Sequence, residues 1–277
     1  MKMKGIGKAV PYVILTLIVL PLLMMYVAFF LQSFSTQLTT GFIPKELGFS
    51  NFSFLWEPLT FGLRLDSIWI VLLNTVLFSV VSGGVVTVLC LLGAYPLSRI
   101  TFRGRELFLS LQLVLHSFPG PILLIAVFFV LLYLKLLNTI PGVALARAAL
   151  EVPLGIWILK GFFDGIPLDI ERAAMVDGCN RFQVWARVFL PLIRPGIAAV
   201  FIWGALFAWH DFIYVFTLLG RVRLMSTLIQ GLIATEVIDF GVLAALSLFY
   251  LLPPLVLFVF LQRAFMQVAV FGGKGAT

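Results

Sequence analysis

The sequence predicts an all-α, polytopic membrane protein with six transmembrane helices, and three observations predict it. Of 277 residues, 62% are hydrophobic and 11% charged, whereas soluble domains carry about 25% charged residues. Six apolar runs are each long enough to cross about 30 Å of hydrocarbon at about 1.5 Å per residue. The basic residues are scattered between those runs, so the net charge of +7 reads as an inner-leaflet excess of Lys and Arg rather than as a nucleic-acid surface. No nucleic-acid partner is expected; the lipid bilayer is.

The runs fall at about 9–31, 67–95, 107–134, 143–163, 196–219 and 240–262. The first follows Lys2, Lys4 and Lys8, yet its apolar core exceeds a signal peptide's and no small-residue cleavage site follows, so it reads as a retained helix. With the N-terminus inside, the inner segments hold Lys2, Lys4, Lys8, Arg99, Arg103, Arg105, Lys160, Arg172, Arg181, Arg187, Arg194, Arg263 and Lys274. The outer segments and helix ends hold Lys45, Arg64, Lys135, Arg147, Arg221 and Arg223. Thirteen against six accounts for all 19 basic residues and predicts both termini in the cytoplasm. The outer segment 32–66 carries Pro44, Trp56 and Pro58 and is expected to pack. Residues 1–277 read as one transmembrane domain. Gly83-Gly84 and Pro253-Pro254 are candidate points of helix bending. Cys90 and Cys179 stand in no ligand or redox spacing and read as two reduced thiols.

The inner loop 164–195, DGIPLDIERAAMVDGCNRFQVWARVFLPLIRP, is polar but organised. Asp169 can cap a short helix through Met175, Gly178 supplies a left-handed turn to end it, and Asn180 with Gln183 makes a capping box for a second helix that stops before Pro191. Ala173 and Ala174 offer a smooth surface. Pattern alone leaves two readings open: a docking knob for another protein, or a loop lying on the inner membrane surface.

The stretch resembles the EAA loop of inner-membrane subunits of ABC importers, whose order is Glu-Ala-Ala, three residues, Gly, nine residues, a branched apolar residue, one residue, Leu-Pro. Ala173, Ala174, Gly178, Val188, Leu190 and Pro191 fall at those intervals; Arg172 stands where the motif has Glu, with Glu171 just before it. Leu136–Thr139, Gly161-Phe162-Phe163, Ala208–Phe212 and Leu261-Gln262-Arg263 are likewise similar to the small permease subunit of maltose-type sugar importers. The resemblance implies a type I ABC importer permease fold and a carbohydrate-uptake function. It also implies two ATP-binding subunits, a second homologous permease, an extracytoplasmic solute-binding protein and residence in a prokaryotic inner membrane. The ATPase-coupling residues it implies are Glu171, Arg172, Ala173, Ala174, Asp177, Gly178, Leu190 and Pro191, with Glu171 able to take part of the motif acid's role.

No catalytic, metal or cofactor site is expected on this chain. The tail Gly272-Gly273-Lys274-Gly275 lacks the spacing, the Ser/Thr and the preceding strand of a phosphate loop, so ATP and Mg belong on partner subunits. Ionisable residues at membrane depth are costly and face interiors or cavities. His116 in the third run, and Trp209, His210, Asp211 and Tyr214 in the fifth, are candidates for a solute path, since sugars are bound by hydrogen bonds and aromatic faces. The same groups could instead join helices. Arg147 and Glu151, four apart, read as a structural pair. A polyol or glycerophosphate-type cargo, and an ion-coupled secondary transporter, are the alternatives; Asp211 is the lone candidate for the latter's buried acid.

Overall fold

The computed structural model describes residues 6–36, 46–61, 64–234 and 239–273; Lys2, Lys4, Pro44, Lys45, Lys274 and Gly275 lie outside them. Four helices are long and apolar enough to cross a bilayer unaided: Ile14–Ser33 within α1 (Ile6–Ser33), α2 (Ile68–Arg99), α5 (Ile140–Asp164) and Phe240–Val259 within α11 (Phe240–Gly273). Two bent pairs bring the number to six: α3 (Arg105–His116) with α4 (Gly120–Tyr133), and the rod Arg181–Leu192 with α9 (Arg194–Trp209).

The described residues form two compact units, each taken by itself. The first comprises Met1–Ile70 and Leu228–Pro253. There the segment after α1 packs, as its composition requires, around aromatic rings: Phe34 contacts Phe49 and Phe52, and Phe54 lies 5.9 Å from Phe249. The Asn51 amide donates to the carbonyls of Ser33 (3.1 Å) and Ser35 (2.7 Å), fastening a 3₁₀ turn at Ser50–Leu55 to the end of α1. The segment also contains a small departure from all-α architecture. β1 (Leu59–Phe61) and β2 (Arg64–Asp66) form an antiparallel hairpin with Thr60 opposite Leu65.

The second unit comprises Val71–Thr227 and Pro254–Thr277 and holds the larger core. Here α5 packs chiefly against α9 and α3. Small residues allow the close approach, as expected where lipid offers no hydrophobic drive between helices. A Cβ at Gly155 would sit 2.5 Å from Cys90 Sγ, and one at Gly83 would sit 2.7 Å from the Phe201 carbonyl of α9. Gly83 therefore serves contact, and neither Gly83-Gly84 nor Pro253-Pro254 interrupts its helix.

The breaks lie elsewhere. The third run bends by 97° between α3 and α4. Pro119 withholds an N–H and biases Phe118 away from helix, and Pro121 starts the next one. The fifth run stops at His210 and restarts as α10 (Ile213–Leu218). In the loop, α6 (Leu168–Val176) begins one residue before Asp169, after Pro167. Asp169 is thus a first-turn acid favoured by the helix dipole rather than the cap. The second loop helix does not stop before Pro191: α7 (Arg181–Gln183), a π-helical stretch Val184–Phe189 and α8 (Leu190–Leu192) form one rod, bent 79° from α9. The widened π turns precede the proline that an α-helix would reject.

Candidate functional site

A cavity of about 1040 Å³ opens in the second unit between the two broken runs, lined by residues of α3, α4, α5, α9 and α10. Both breaks face it: Phe118 and Gly120 from one, His210, Asp211 and Phe212 from the other. His116, expected near the middle of a straight span, is the last residue of α3. Its Nδ1 lies 3.0 Å from the Leu150 carbonyl. A carbonyl only accepts, so Nδ1 donates in this contact.

Arg147 is the centre of the polar wall. Its Nη1 lies 2.8 Å from Glu151 Oε1 and its Nε 2.5 Å from Asp211 Oδ2. The Phe207 ring lies 5.6 Å beneath its guanidinium carbon. The Trp203 indole N–H donates to Glu151 Oε2 at 3.0 Å, and Asp211 Oδ1 accepts the Tyr214 backbone N–H at 3.0 Å. The Arg147–Glu151 pair read from helix spacing is present, but it is half of a larger network. Asp211 joins helices and also lines the cavity. It pairs with α5, starts α10, and its carbonyl accepts Ser226 Oγ at 2.8 Å. Tyr214 donates from its hydroxyl to the Gly120 carbonyl at 2.5 Å. Trp209 is buried and is not among the lining residues. Arg147 and Phe207 do line the cavity and were absent from the expected path. Their alignment with Asp211 depends on a contact 64 residues apart (211 − 147) that no local pattern encodes.

Asp211→Asn tests the network. The amide oxygen can still accept the Tyr214 N–H, but the charge toward Arg147 is lost. The expected result is a loss of about 1.5–3 kcal/mol, the range for hydrogen bonds to charged groups, read as a lower unfolding midpoint of the purified protein.

The second candidate surface is the 164–195 loop. Gly178 has φ +87° and ends α6: its N–H donates to the Met175 carbonyl, and Cys179 N–H to that of Ala174. The capping box forms in both directions, Asn180 N–H to Gln183 Oε1 at 2.9 Å and Gln183 N–H to Asn180 Oδ1 at 2.8 Å. Arg172, Ala173, Asp177, Gly178 and Pro191 are exposed, whereas Ala174 and Leu190 are half-buried against the core, so one of the two alanines faces outward. Val176 (88% exposed) and Phe182 (70%) stand out as apolar groups on the same loop. Glu171 is placed differently from the expectation. It is buried, 3.5 Å from Arg99 Nε, and accepts the Tyr95 hydroxyl at 3.2 Å. Its carboxylate is consumed inside the chain and is not offered to a partner in place of the motif acid. Among the described residues no group of three or more His, Cys, Asp or Glu side chains is placed to hold a metal ion.

Comparison with known proteins agrees with this architecture. Residues 85–268 match the family described as the inner-membrane component of binding-protein-dependent transport systems. The arabinooligosaccharides transport system permease protein AraQ of Halalkalibacterium halodurans is 30% identical over 267 residues, covering 92% of this chain and 90% of its own. The inner membrane ABC transporter permease protein YcjP of Escherichia coli is 30% identical over 202 residues, 72% of each chain. A solved bacterial ABC transporter involved in the import of the acidic polysaccharide alginate shares the fold, with a TM-score of 0.78 at 22% identity over 95% of this chain and 98% of that one. The fold is that of a type I importer permease, and this chain belongs to the inner-membrane permease components of binding-protein-dependent ABC transport systems.

Proposed function

We propose that this chain forms half of the pore of an ATP-driven importer for a sugar or oligosaccharide. It pairs with a second permease, stands on two ATP-binding subunits that hold ATP and Mg, and receives its solute from an extracytoplasmic binding protein. Both termini and the 164–195 loop face the cytoplasm, in keeping with the excess of Lys and Arg on that side. The observation that carries the reading is the pairing of two features in one unit. One is a cavity at the helix breaks; the other is an organised loop with unsatisfied apolar groups at its tip. Broken helices lining a cavity suit a solute path, because irregular backbone at membrane depth is tolerated only beside protein or water. The wall carries groups suited to a hydroxyl-rich solute: the aromatic side chains of Phe118, Phe212 and Tyr214, and the His116 imidazole. Its charged groups already satisfy one another. The named activities of relatives support the cargo class: arabinooligosaccharides for AraQ, maltodextrin for MalD of Streptococcus pneumoniae (28% identical over 82% of this chain).

The knob supplies the test. Val176 is the most exposed apolar residue of the loop, and a carboxylate there could not be buried against an apolar groove without a partner charge. Val176→Asp is expected to reduce recovery of the ATP-binding subunits with the tagged chain at least about tenfold, the equivalent of about 1.4 kcal/mol, while insertion in the membrane is unchanged. Undiminished recovery would show that the loop is not the docking element. At the path, Asp211→Asn should also change the uptake rate per assembled complex by up to about tenfold; unaltered kinetics would confine Asp211 to structure.

A further inference from the structure

At both ends the knob joins the long helices through a bend: residues 165–167 lie between α5 and α6, and Ile193 lies between α8 and α9. A push on such a knob would be absorbed by its bends unless something ties it across. Arg99, the last residue of α2, lies at that place. Its Nη2 donates to the carbonyls of Phe163 (2.7 Å) and Ile166 (2.8 Å), at the end of α5 and in the linker. Its Nε lies 3.5 Å from Glu171 Oε2 on α6, and its guanidinium carbon lies 4.9 Å from the centre of the Phe189 ring in the π-helical stretch. The side chain is 6% exposed.

We infer that Arg99 is the positioning residue that locks the 168–192 knob to α2 and α5, so that displacement of the knob by a docked ATPase displaces both helices. The inference rests on the docking reading above. Neighbouring contacts stiffen the same joint. The Tyr95 hydroxyl holds the other oxygen of Glu171, and its ring packs on Phe163 and Phe189 at 5.7 and 5.6 Å. Ser98 Oγ donates to Asp164 Oδ1 at 2.6 Å. A planar guanidinium can bond two carbonyls, face a carboxylate and cover a ring at once; a lysine ammonium has neither the fork nor the plane. Two of its partners are carbonyls at or just past the C-terminus of α5, where the helix dipole favours a cation; the Phe163 carbonyl also accepts the Ile166 N–H at 3.1 Å. The four contacts thus join α2, α5, α6 and the π-helical stretch through one side chain, which is the requirement for rigid-body transfer of motion.

The test uses the assembled complex in lipid nanodiscs, with Cys179→Ser to silence the half-buried thiol and Phe118→Cys as a reporter at the cavity. Buried Cys90 stays silent. The rate of labelling by a membrane-impermeant maleimide is compared before and after trapping with ATP and vanadate. Arg99→Gln is expected to shrink the nucleotide-dependent change in labelling roughly tenfold, the scale of lost hydrogen bonds to a charge, and Arg99→Lys to recover part of it. A part returned by charge without the fork separates positioning from mere folding. A full response in Arg99→Gln overturns the proposal. Should Arg99→Gln fail to assemble, Glu171→Gln decides: it removes the ion pair and leaves the Phe163 and Ile166 bonds. A reduced response supports the lock and a parental response overturns it. A parent complex whose labelling ignores nucleotide overturns the docking reading, and the proposal with it.

Discussion

Arg147→Met should cost this protein more stability than any other single change considered above. The guanidinium stands between two carboxylates whose side chains are 5% and 7% exposed, and it is itself 11% exposed. Removing it leaves Glu151 facing the Trp203 indole and Asp211 facing the backbone N–H groups of Tyr214 and Val215, without the guanidinium that neutralises both. Breaking a buried pair from one side costs about 3–5 kcal/mol, because a charge remains without its counterion. Here two charges remain, against a total stability on the order of 5–15 kcal/mol. The expected result is a sharp fall in the unfolding midpoint and in recovery of folded protein. Adding Glu151→Gln and Asp211→Asn to Arg147→Met should restore much of the loss, since neutral groups in place of a buried ion network are often close to neutral in stability. Failure of the triple variant to recover would mean that the pairing of charges is not what the network contributes. Arg147→Met with an unaltered midpoint would refute the account of the cavity wall.

The second large effect is expected at Gly178. A β-branched residue at φ +87° is strained by its own backbone, at a cost on the order of 1–3 kcal/mol. No neighbour lies within 4 Å of a Cβ built there, so the penalty is conformational and not a clash. That distinction gives the experiment its control. Gly178→Val should abolish most ATP-driven uptake while leaving the chain inserted, because α6 and α7 can no longer meet at the turn that orients Val176 and Phe182. Gly178→Asn, a residue that tolerates the left-handed region, should retain most of it. Equal loss in both variants would point to a contact at Gly178 rather than to its backbone. Normal uptake in Gly178→Val would remove the loop from the coupling path.

These two residues also show where the sequence could and could not be read. Gly178 and the Asn180–Gln183 box are local signals: the residue itself demands the turn or supplies the cap within three positions, and the structure contains both. The apolar runs are legible for the same reason, since hydrocarbon thickness sets their length. The breaks inside them were readable in part. Pro119 and Pro121 announce the first, but an apolar run masks them, whereas Pro253-Pro254 carries the same chemistry and sits in a continuous helix. The second break rests on Asp211, whose side chain takes the Tyr214 N–H and so starts α10. Long-range pairs left no trace at all. Arg147 meets Asp211, and Arg99 meets Glu171, only because α5 packs on α9 and α2 ends beside the loop. Arg99 read as one more inner-side charge, and Glu171 read as a partner-facing acid. The cavity wall and the joint of the knob, which these packings build, are therefore the parts that required the fold.

The proposed importer passes the work of a partner's ATP through the 164–195 loop to a solute in this cavity. ATP-driven uptake of labelled arabinooligosaccharide or maltodextrin probes into vesicles tests it most directly. The vesicles carry the full complex, with the binding protein outside and ATP inside. The expected uptake requires internal ATP, the ATP-binding subunits and the binding protein together, and it persists when ionophores collapse all ion gradients. Uptake by this chain without its ATP-binding partners, driven by an ion gradient and indifferent to ATP, would contradict it.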